Sequence, residues 1–178
     1  MTETPSRIRT TTTVYRGRVF SVTVDHVTLP NGRTVQMDVV RHPGSVVLLA
    51  MPSADRIVLV RQYRYAVDRW LWELPAGGLA PGEEPEAAAS RECHEEIGRI
   101  PGQVERLATL FPSPGFCDET MTFLRLTRLR DPLPADPPAV QDADEVLEAR
   151  DYAIDEAREM VRSGAIIDLK TAFGLSLI

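Results

Sequence analysis

Hydrophobic and polar positions alternate in short blocks along most of the chain. Apolar runs of four to eight residues bounded by Gly, Pro or Asn are typical of strands, and apolar positions three or four residues apart are typical of helices. Strands are predicted within Thr13–Val24 and at Thr34–Val40, Ser45–Met51, Arg56–Val60, Trp70–Leu74, Leu107–Phe111, Met121–Leu126 and Val146–Tyr152. Helices are predicted at Glu84–Ile97, Ile154–Ser163 and Ile167–Ile178. This order of elements indicates an α+β domain built in layers.

The N-terminal part of the chain has a strand pattern of its own. Its strand-like runs are separated by the turn triplet Pro30-Asn31-Gly32, which predicts a small antiparallel sheet. Residues Met1–Thr13 are polar and threonine-rich and lack the apolar core of a secretory signal, so we expect a flexible leader. We therefore divide the chain into a leader with an N-terminal sheet at 1–42 and a main domain at 43–178.

Composition narrows the class of protein. The chain has 178 residues, of which 43% are hydrophobic and 26% charged, and this balance is typical of a folded globular domain. The formal net charge is −6 and no basic stripe is visible, so nucleic acid is not an expected partner. The longest apolar run, Ser45–Met51, is too short to span a membrane. Cys93 and Cys117 are too few for a disulfide framework, and we expect a cytoplasmic protein.

Three carboxylates lie close together on the predicted helix at Glu84–Ile97. Glu92 and Glu96 are four residues apart and share one face of the helix, and Glu95 borders that face. Such a face has two interpretations. It is either a solvated acidic surface, which is common, or a site for a hard divalent cation, which prefers carboxylate oxygens.

The residues before this helix suit a tight loop. Gly77, Gly78 and Gly82 allow the backbone to approach a ligand or a metal ion closely. Arg91 follows Glu83 by eight residues, so the two side chains can pair and fix the loop against the helix.

The whole segment resembles the Nudix box, G-x5-E-x7-R-E-U-x-E-E-x-G-U, in which U is an aliphatic residue. The sequence matches this pattern at seven positions: Gly77, Glu83, Arg91, Glu92, Glu95, Glu96 and Gly98. It departs from the pattern at two U positions, which hold Cys93 and Arg99. The resemblance implies an α/β/α sandwich, the Nudix fold, in which the box forms a loop, a helix and a second loop.

The resemblance also implies a role for each residue of the box. Glu92 and Glu96 would be the principal ligands of Mg²⁺, for which Mn²⁺ can substitute, and Glu95 would assist them. The carbonyl oxygen of Ala76 would be a further metal ligand. Glu83 and Arg91 would have supporting roles.

Features outside the box resemble the ADP-ribose pyrophosphatase branch of the family. Pro114 lies sixteen residues after Gly98, in a segment similar to S-P-G-x-x-x-E that ends at Glu119. The resemblance implies substrate-binding residues at Arg64, Glu73, Gly77, Gly78, Pro114 and Glu119. The residue types alone leave alternatives, since prolines also form turns and Arg64 is also interpretable as a surface cation. Trp70 and Trp72 are expected in the core or at an interface, with stacking on adenine as the alternative.

The expected reaction is hydrolysis of the pyrophosphate bond of a nucleoside diphosphate sugar, with ADP-ribose giving AMP and ribose 5-phosphate. The resemblance implies a general base from the loop after Asp131, which ends in Gln141-Asp142-Ala143-Asp144-Glu145. Glu145 is the first candidate, followed by Asp142 and Asp144. Glu95 is also a candidate catalytic residue. Solubilising loop charges are the alternative interpretation of the three loop carboxylates.

Other functions remain open at this stage. The same chemistry on GDP-mannose or ADP-glucose is the nearest alternative, and a non-catalytic nucleotide-sugar sensor is an alternative of another class. The intact glutamates at 92, 95 and 96 favour the enzyme. The resemblance further implies a homodimer assembled through the N-terminal strands, with a nucleotide sugar as small-molecule partner and neither nucleic acid nor membrane.

Overall fold

The computed structural model of the chain describes residues 5–139 and 147–178. The described residues form two compact units. The N-terminal unit contains the chain up to Gly44 together with Leu110–Thr120, and the main unit contains Ser45–Thr109 and Met121–Ile178. The candidate base residues Asp142, Asp144 and Glu145 lie outside the described residues.

The N-terminal unit contains the expected antiparallel sheet. Its three strands, in spatial order, are β1 (Arg7–Arg16), β2 (Ser21–Thr28) and β3 (Thr34–Arg41). The predicted turn joins β2 to β3, and Gly32 has the positive φ of 80° that the turn requires. The expectation of a flexible leader up to Thr13 is wrong from Arg7 onward. The prediction of a strand from Thr13 covers the end of β1. All ten residues of β1 are exposed, so its first part, Arg7–Thr12, depends on backbone pairing with β2 and has no alternating apolar pattern to predict it.

The described residues of the main unit form two sheets and three helices. A four-stranded sheet has the order β7-β4-β9-β8, and a three-stranded sheet has the order β10-β5-β6. The strands are β4 (Ser45–Ala50), β5 (Arg56–Arg64), β6 (Arg69–Glu73), β7 (Ala76–Gly78), β8 (Gln103–Leu110), β9 (Met121–Thr127) and β10 (Leu147–Ala153). The helices are α1 (Pro85–Ile97), α2 (Ile154–Arg162) and α3 (Leu169–Gly174), and a single 3-10 turn spans Tyr65–Val67. These elements confirm the α+β class.

Strand β4 is buried on both faces, because side chains of opposite orientation enter two different hydrophobic clusters. Val47 and Leu49 pack in one cluster with residues of β5, β9, α2 and the segment around α3. Val46 and Leu48 pack in the other with residues of β9 and α1. The strand therefore has helices on both sides, which is the layered arrangement predicted from the sequence.

Helix α1 has the ends that its sequence predicts. Pro85 occupies the first turn, where its missing N–H leaves no bond unmade, and Glu86 lies at the positive end of the helix dipole. Gly98 ends the helix with a φ of 71°, and its N–H donates to the carbonyl oxygens of Cys93 and His94. Cys93 is fully buried beside Ala88 and Ala89, so this small side chain fills the position where the Nudix pattern has an aliphatic residue.

Several boundaries differ from the predicted ones. Strand β7 was not predicted, because its Gly-rich sequence has no apolar pattern and it is held by pairing with β4. Strand β8 begins four residues earlier than predicted, and α3 is shorter than the predicted helix at Ile167–Ile178. Of the two tryptophans, Trp72 packs against the core as expected, whereas Trp70 is 48% exposed. Within the described ranges, no helix is long and apolar enough to cross a membrane.

Candidate active site

The backbone of β7 passes directly against the carboxylates of α1. Glu92 and Glu96 are 9% and 6% exposed, which is unusual for charged side chains. The N–H of Ala76 donates to Glu96 Oε2 over 3.3 Å. A Cβ atom at Gly77 would overlap the carboxylate of Glu92, so any larger residue at this position would displace that carboxylate. Four residues that the Nudix pattern implicates are therefore adjacent in space.

Arg91 connects the loop before α1 to the acidic face of the helix. Its Nε and Nη2 donate to the two oxygens of Glu83 over 2.9 and 3.0 Å, which confirms the pairing predicted from the spacing. Its Nη1 donates to Glu92 Oε1 over 2.7 Å and to Glu95 Oε2 over 2.8 Å. A further bond from Nη2 reaches the carbonyl oxygen of Gly78. The guanidinium thus lies among three carboxylates and fixes the loop against the helix.

These contacts shift the pKa values of the groups involved. The hydrogen bonds from Arg91 and the N–H of Ala80 hold the pKa of Glu83 below its usual value. The hydrogen bond to Glu83, reinforced by those to Glu92 and Glu95, raises the pKa of Arg91 despite the opposing effect of burial. Both groups are therefore fully charged across the physiological range of pH.

The donor atoms at this site fit a hard divalent cation. Glu83, Glu92, Glu95 and Glu96 provide carboxylate oxygens, and Ala76, whose N–H donates to Glu96, adds a backbone carbonyl oxygen to the available donors. Among the described residues, no three acidic, histidine or cysteine side chains converge in a ligand geometry, and Arg91 supplies the positive charge at Glu92 and Glu95. The chemistry of the donor set fits Mg²⁺ or Mn²⁺.

A second cluster of charges lies where β5 and β6 approach α3. Glu73 is buried, and its two oxygens accept hydrogen bonds from Arg64 Nε and Nη2 over 2.9 and 2.8 Å. Lys170 on α3 also donates to Glu73, and it donates to Asp168 Oδ2 over 2.9 Å. Asp168 caps α3 by accepting from Thr171. We call these five residues the Glu73 network.

The Glu73 network keeps its central carboxylate ionised. Burial would raise the pKa of Glu73, but the hydrogen bond from Arg64 and the positive charge of Lys170 outweigh that effect and lower it. The bond to Glu73 raises the pKa of Arg64, and the negative charge of Glu96 contributes in the same direction. Arg64 therefore lies within electrostatic reach of the acidic face of α1.

Two further residues implied by the resemblance belong to the N-terminal unit. Pro114 lines a surface cavity of about 310 Å³ together with Met37 and Phe116. Glu119 Oε1 lies 3.7 Å from His42 Nδ1. The structure thus brings together Arg64, Glu73, Ala76, Gly77 and the box residues in the main unit, and it places Pro114 and Glu119 in the N-terminal unit.

Sequence reasoning missed the C-terminal part of the Glu73 network. The D-x-x-T pattern at Asp168–Thr171 is a recognisable helix cap, and it would have placed the start of α3 at Leu169. No sequence signal predicts the contact between Lys170 and Glu73, which are 97 positions apart.

Comparison with known proteins agrees with the geometry. The NUDIX domain matches residues 40–169, and the chain belongs to this family. The chain is a hydrolase of the Nudix pyrophosphatase type, and members of the family generally need divalent metal ions. A solved structure titled as an ADP compounds hydrolase superposes with a TM-score of 0.79, covering 99% of this chain and 94% of that chain at 20% identity. This likeness confirms the Nudix fold.

Curated relatives cover nearly the whole chain. An ADP-ribose pyrophosphatase of Bacillus subtilis is 33% identical over 93% of this chain and 88% of its own length. A methanol dehydrogenase activator of Bacillus methanolicus is 36% identical over the same two shares. A GDP-mannose pyrophosphatase of Salmonella arizonae is 34% identical over 78% of this chain and 74% of its own length.

Proposed function

We propose that this protein hydrolyses the pyrophosphate bond of a nucleoside diphosphate sugar, with ADP-ribose as the preferred substrate and AMP and ribose 5-phosphate as products. The observation that carries the proposal is the packing of the β7 backbone at Ala76 and Gly77 against the buried carboxylates of Glu96 and Glu92. Similarity to an ADP-ribose pyrophosphatase over 93% of the chain supports the choice of substrate.

Mg²⁺ is the proposed cofactor, held by Glu92 and Glu96 with help from Glu95 and the carbonyl oxygen of Ala76. When bound, the cation neutralises charge on the phosphates and lowers the pKa of a coordinated water. The Glu83–Arg91 pair keeps the loop in place, and Glu83 contributes by holding Arg91.

Arg64 is the proposed ligand of the diphosphate. A guanidinium matches phosphate oxygens in a bidentate manner, and the side chain of Arg64 is 39% exposed while Glu73 holds its inner edge. Gly77 and Gly78 are further members of the proposed set, and at Gly78 the space where a Cβ atom would lie is free for a ligand. Glu73, Pro114 and Glu119 complete the proposed substrate-binding set.

In hydrolysis the oxygen of the attacking water forms a bond to one phosphorus, the bond between that phosphorus and the bridging oxygen breaks, and a proton of the water passes to a carboxylate. The bridging oxygen leaves with the other phosphate group. Glu145 is the proposed acceptor, with Asp142 and Asp144 as alternatives in the same segment and Glu95 on α1 as a further candidate.

A substrate panel tests the proposal. The purified protein is incubated in Mg²⁺ with ADP-ribose, ADP-glucose or GDP-mannose, and products are measured as phosphate released by a coupled phosphatase. We expect the highest kcat/KM for ADP-ribose. A clear preference for GDP-mannose would instead support the second candidate function, which similarity to a GDP-mannose pyrophosphatase favours. Binding without hydrolysis of any substrate would support a non-catalytic sensor.

A homodimer through the N-terminal strands belongs to the same proposal. All ten residues of β1 are exposed, and the N-terminal unit leaves several large apolar side chains in solvent: Ile8, Val14, Tyr15, Val19 and Phe20. Exposed apolar surface of this kind is typical of a protein–protein interface.

A further inference from the structure

Lys170 is a nearly buried cation in the main unit. Its side chain is 9% exposed, although Lys is among the residues that most rarely lose contact with water. It donates to Glu73 Oε2, the oxygen that also accepts from Arg64 Nη2 over 2.8 Å, and to Asp168. The buried carboxylate of Glu73 is therefore shared between two cations that come from different parts of the chain.

The two cations differ in their access to a ligand. The side chain of Arg64 is 39% exposed, four times the value for Lys170. The bonds to Glu73 use Nε and Nη2 of Arg64. Within the described ranges, Nη1 of Arg64 has no hydrogen-bond partner in the protein. Glu73 thus orients the guanidinium of Arg64 through Nε and Nη2, and Nη1 faces solvent.

Charge balance gives Lys170 a role in this arrangement. Two cations, Arg64 and Lys170, face two carboxylates, Glu73 and Asp168, so the cluster as a whole is neutral. Without Lys170 the cluster would carry a net negative charge, and the charge of Glu73 would act on Arg64 alone. A negative cluster repels a diphosphate, and in a partly buried site this effect is weakly screened.

We propose that Lys170 is a positioning residue for substrate. Its ammonium group neutralises the negative charge of Glu73, so that this charge does not weaken the electrostatic attraction between the guanidinium of Arg64 and the diphosphate of the ligand. The inference rests on the proposed function only in naming a nucleoside diphosphate sugar as that ligand. It extends the site to a third element, α3, whose cap residue Asp168 holds Lys170 in place.

The test compares ligand binding with turnover in four variants. The dissociation constant for ADP-ribose is measured by calorimetry in EDTA, where no metal-dependent turnover occurs, and KM and kcat are measured in Mg²⁺. Lys170→Met and Lys170→Gln remove the cation, and Lys170→Arg keeps it. Arg162→Met is the matched control, because it changes the net charge equally at an exposed pair on α2. Thermal unfolding is recorded for every variant.

We expect both neutral variants to bind ADP-ribose about 10-fold more weakly, which corresponds to about 1.4 kcal/mol. KM should rise by a similar factor while kcat changes less than about twofold, because the lost interaction acts equally on substrate and transition state. Lys170→Arg should restore binding to within about threefold of the original protein, and Arg162→Met should leave it unchanged. The difference should shrink as ionic strength rises.

Each contrary result has a distinct meaning. Neutral variants that lower the unfolding temperature but bind ADP-ribose normally would show that Lys170 only anchors α3, which overturns the inference. If Arg162→Met weakened the binding of ADP-ribose equally, the effect would be explained by the net charge of the protein, and the inference would again be overturned. If the original protein binds ADP-ribose without hydrolysing it, the proposed function fails and the binding constants still decide the role of Lys170. If it neither binds nor hydrolyses ADP-ribose, both proposals fail.

Discussion

At the scale of single residues, Gly77 has the tightest constraint in the candidate site. A side chain at this position would overlap the carboxylate of Glu92, whereas a side chain at Gly78 meets open space. We expect Gly77→Ala to destabilise the fold by about 1 kcal/mol, because the end of the Glu92 side chain can move aside but then loses its hydrogen bond from Arg91. Gly78→Ala, as the matched control, should change the free energy of unfolding far less. Urea denaturation measures both, and equal stability of the two variants would contradict the close approach.

Glu96 is the residue on which the proposed metal site most depends. It is almost fully buried and accepts a hydrogen bond from Ala76, so substitution by the isosteric Gln removes the charge while keeping the shape. We expect Glu96→Gln to reduce kcat in Mg²⁺ by about 100-fold, a loss of about 2.7 kcal/mol of transition-state stabilisation. Far-ultraviolet circular dichroism should be unchanged. Near-normal turnover would remove Glu96 from the site.

Three substitutions of a carboxylate by the corresponding amide, at Asp142, Asp144 and Glu145, identify which candidate is the general base. We expect Glu145→Gln to lower kcat while leaving the affinity for Mn²⁺ unchanged, because a general base acts on the water and not on the metal. Metal titration by calorimetry and steady-state kinetics measure the two properties. If Asp142→Asn or Asp144→Asn alone has this effect, that residue takes the role proposed for Glu145.

At the scale of elements, we expect the stability of the contact between β6 and α3 to depend on pH, because this contact includes the ionised carboxylate of Glu73. The pKa of Glu73 is lower in the folded protein than its ordinary value of about 4.3, so ionisation of Glu73 favours the folded state. This stabilisation is fully present above the ordinary value and is lost as the pH falls through the lower, folded value. We therefore expect the urea midpoint to decrease steadily as the pH falls below about 4.

Substitution of Glu73 should remove this part of the acid response. Glu73→Gln leaves Arg64 and Lys170 without their buried partner, and we expect a loss of about 3 kcal/mol at pH 7 together with a flatter dependence on pH below 4. Glu105→Gln is the control, since its pair with Arg125 is exposed and should contribute little. Parallel pH curves for the original protein and Glu73→Gln would contradict this prediction.

At the scale of the whole molecule, the proposed homodimer predicts a particle mass of two chains and a position in β1 at which a charged residue prevents dimer formation. Light scattering should give about 40 kDa, twice the chain mass of 19.8 kDa. Val14 on β1 and Leu133 in the main unit are both 59% exposed, which makes them a matched pair. Val14→Asp should give monomers, because it would bury a charge in the interface, whereas Leu133→Asp should not. A single-chain mass for the original protein would contradict the dimer.

The sequence alone determined the features that depend on neighbouring residues. The spacing of Glu92, Glu95 and Glu96 places them on or beside one face of α1, and the residues at both ends of this helix specify where it starts and stops. The apolar runs predicted β4 and β9, and the eight-residue separation predicted the Glu83–Arg91 pair. Local periodicity encodes these features because side-chain direction follows from backbone geometry over one or two turns.

Only the tertiary structure decided what depends on distant partners. Strand β7 and the first part of strand β1, Arg7–Thr12, have no alternating apolar pattern and form because β4 and β2 supply their hydrogen bonds. The contact between Glu73 and Lys170 joins residues 97 positions apart, and the contact between Gly77 and Glu92 depends on how a loop packs on a helix. Strand pairing and buried ion pairs are set by the packing of the whole main unit, which no window of neighbouring residues contains.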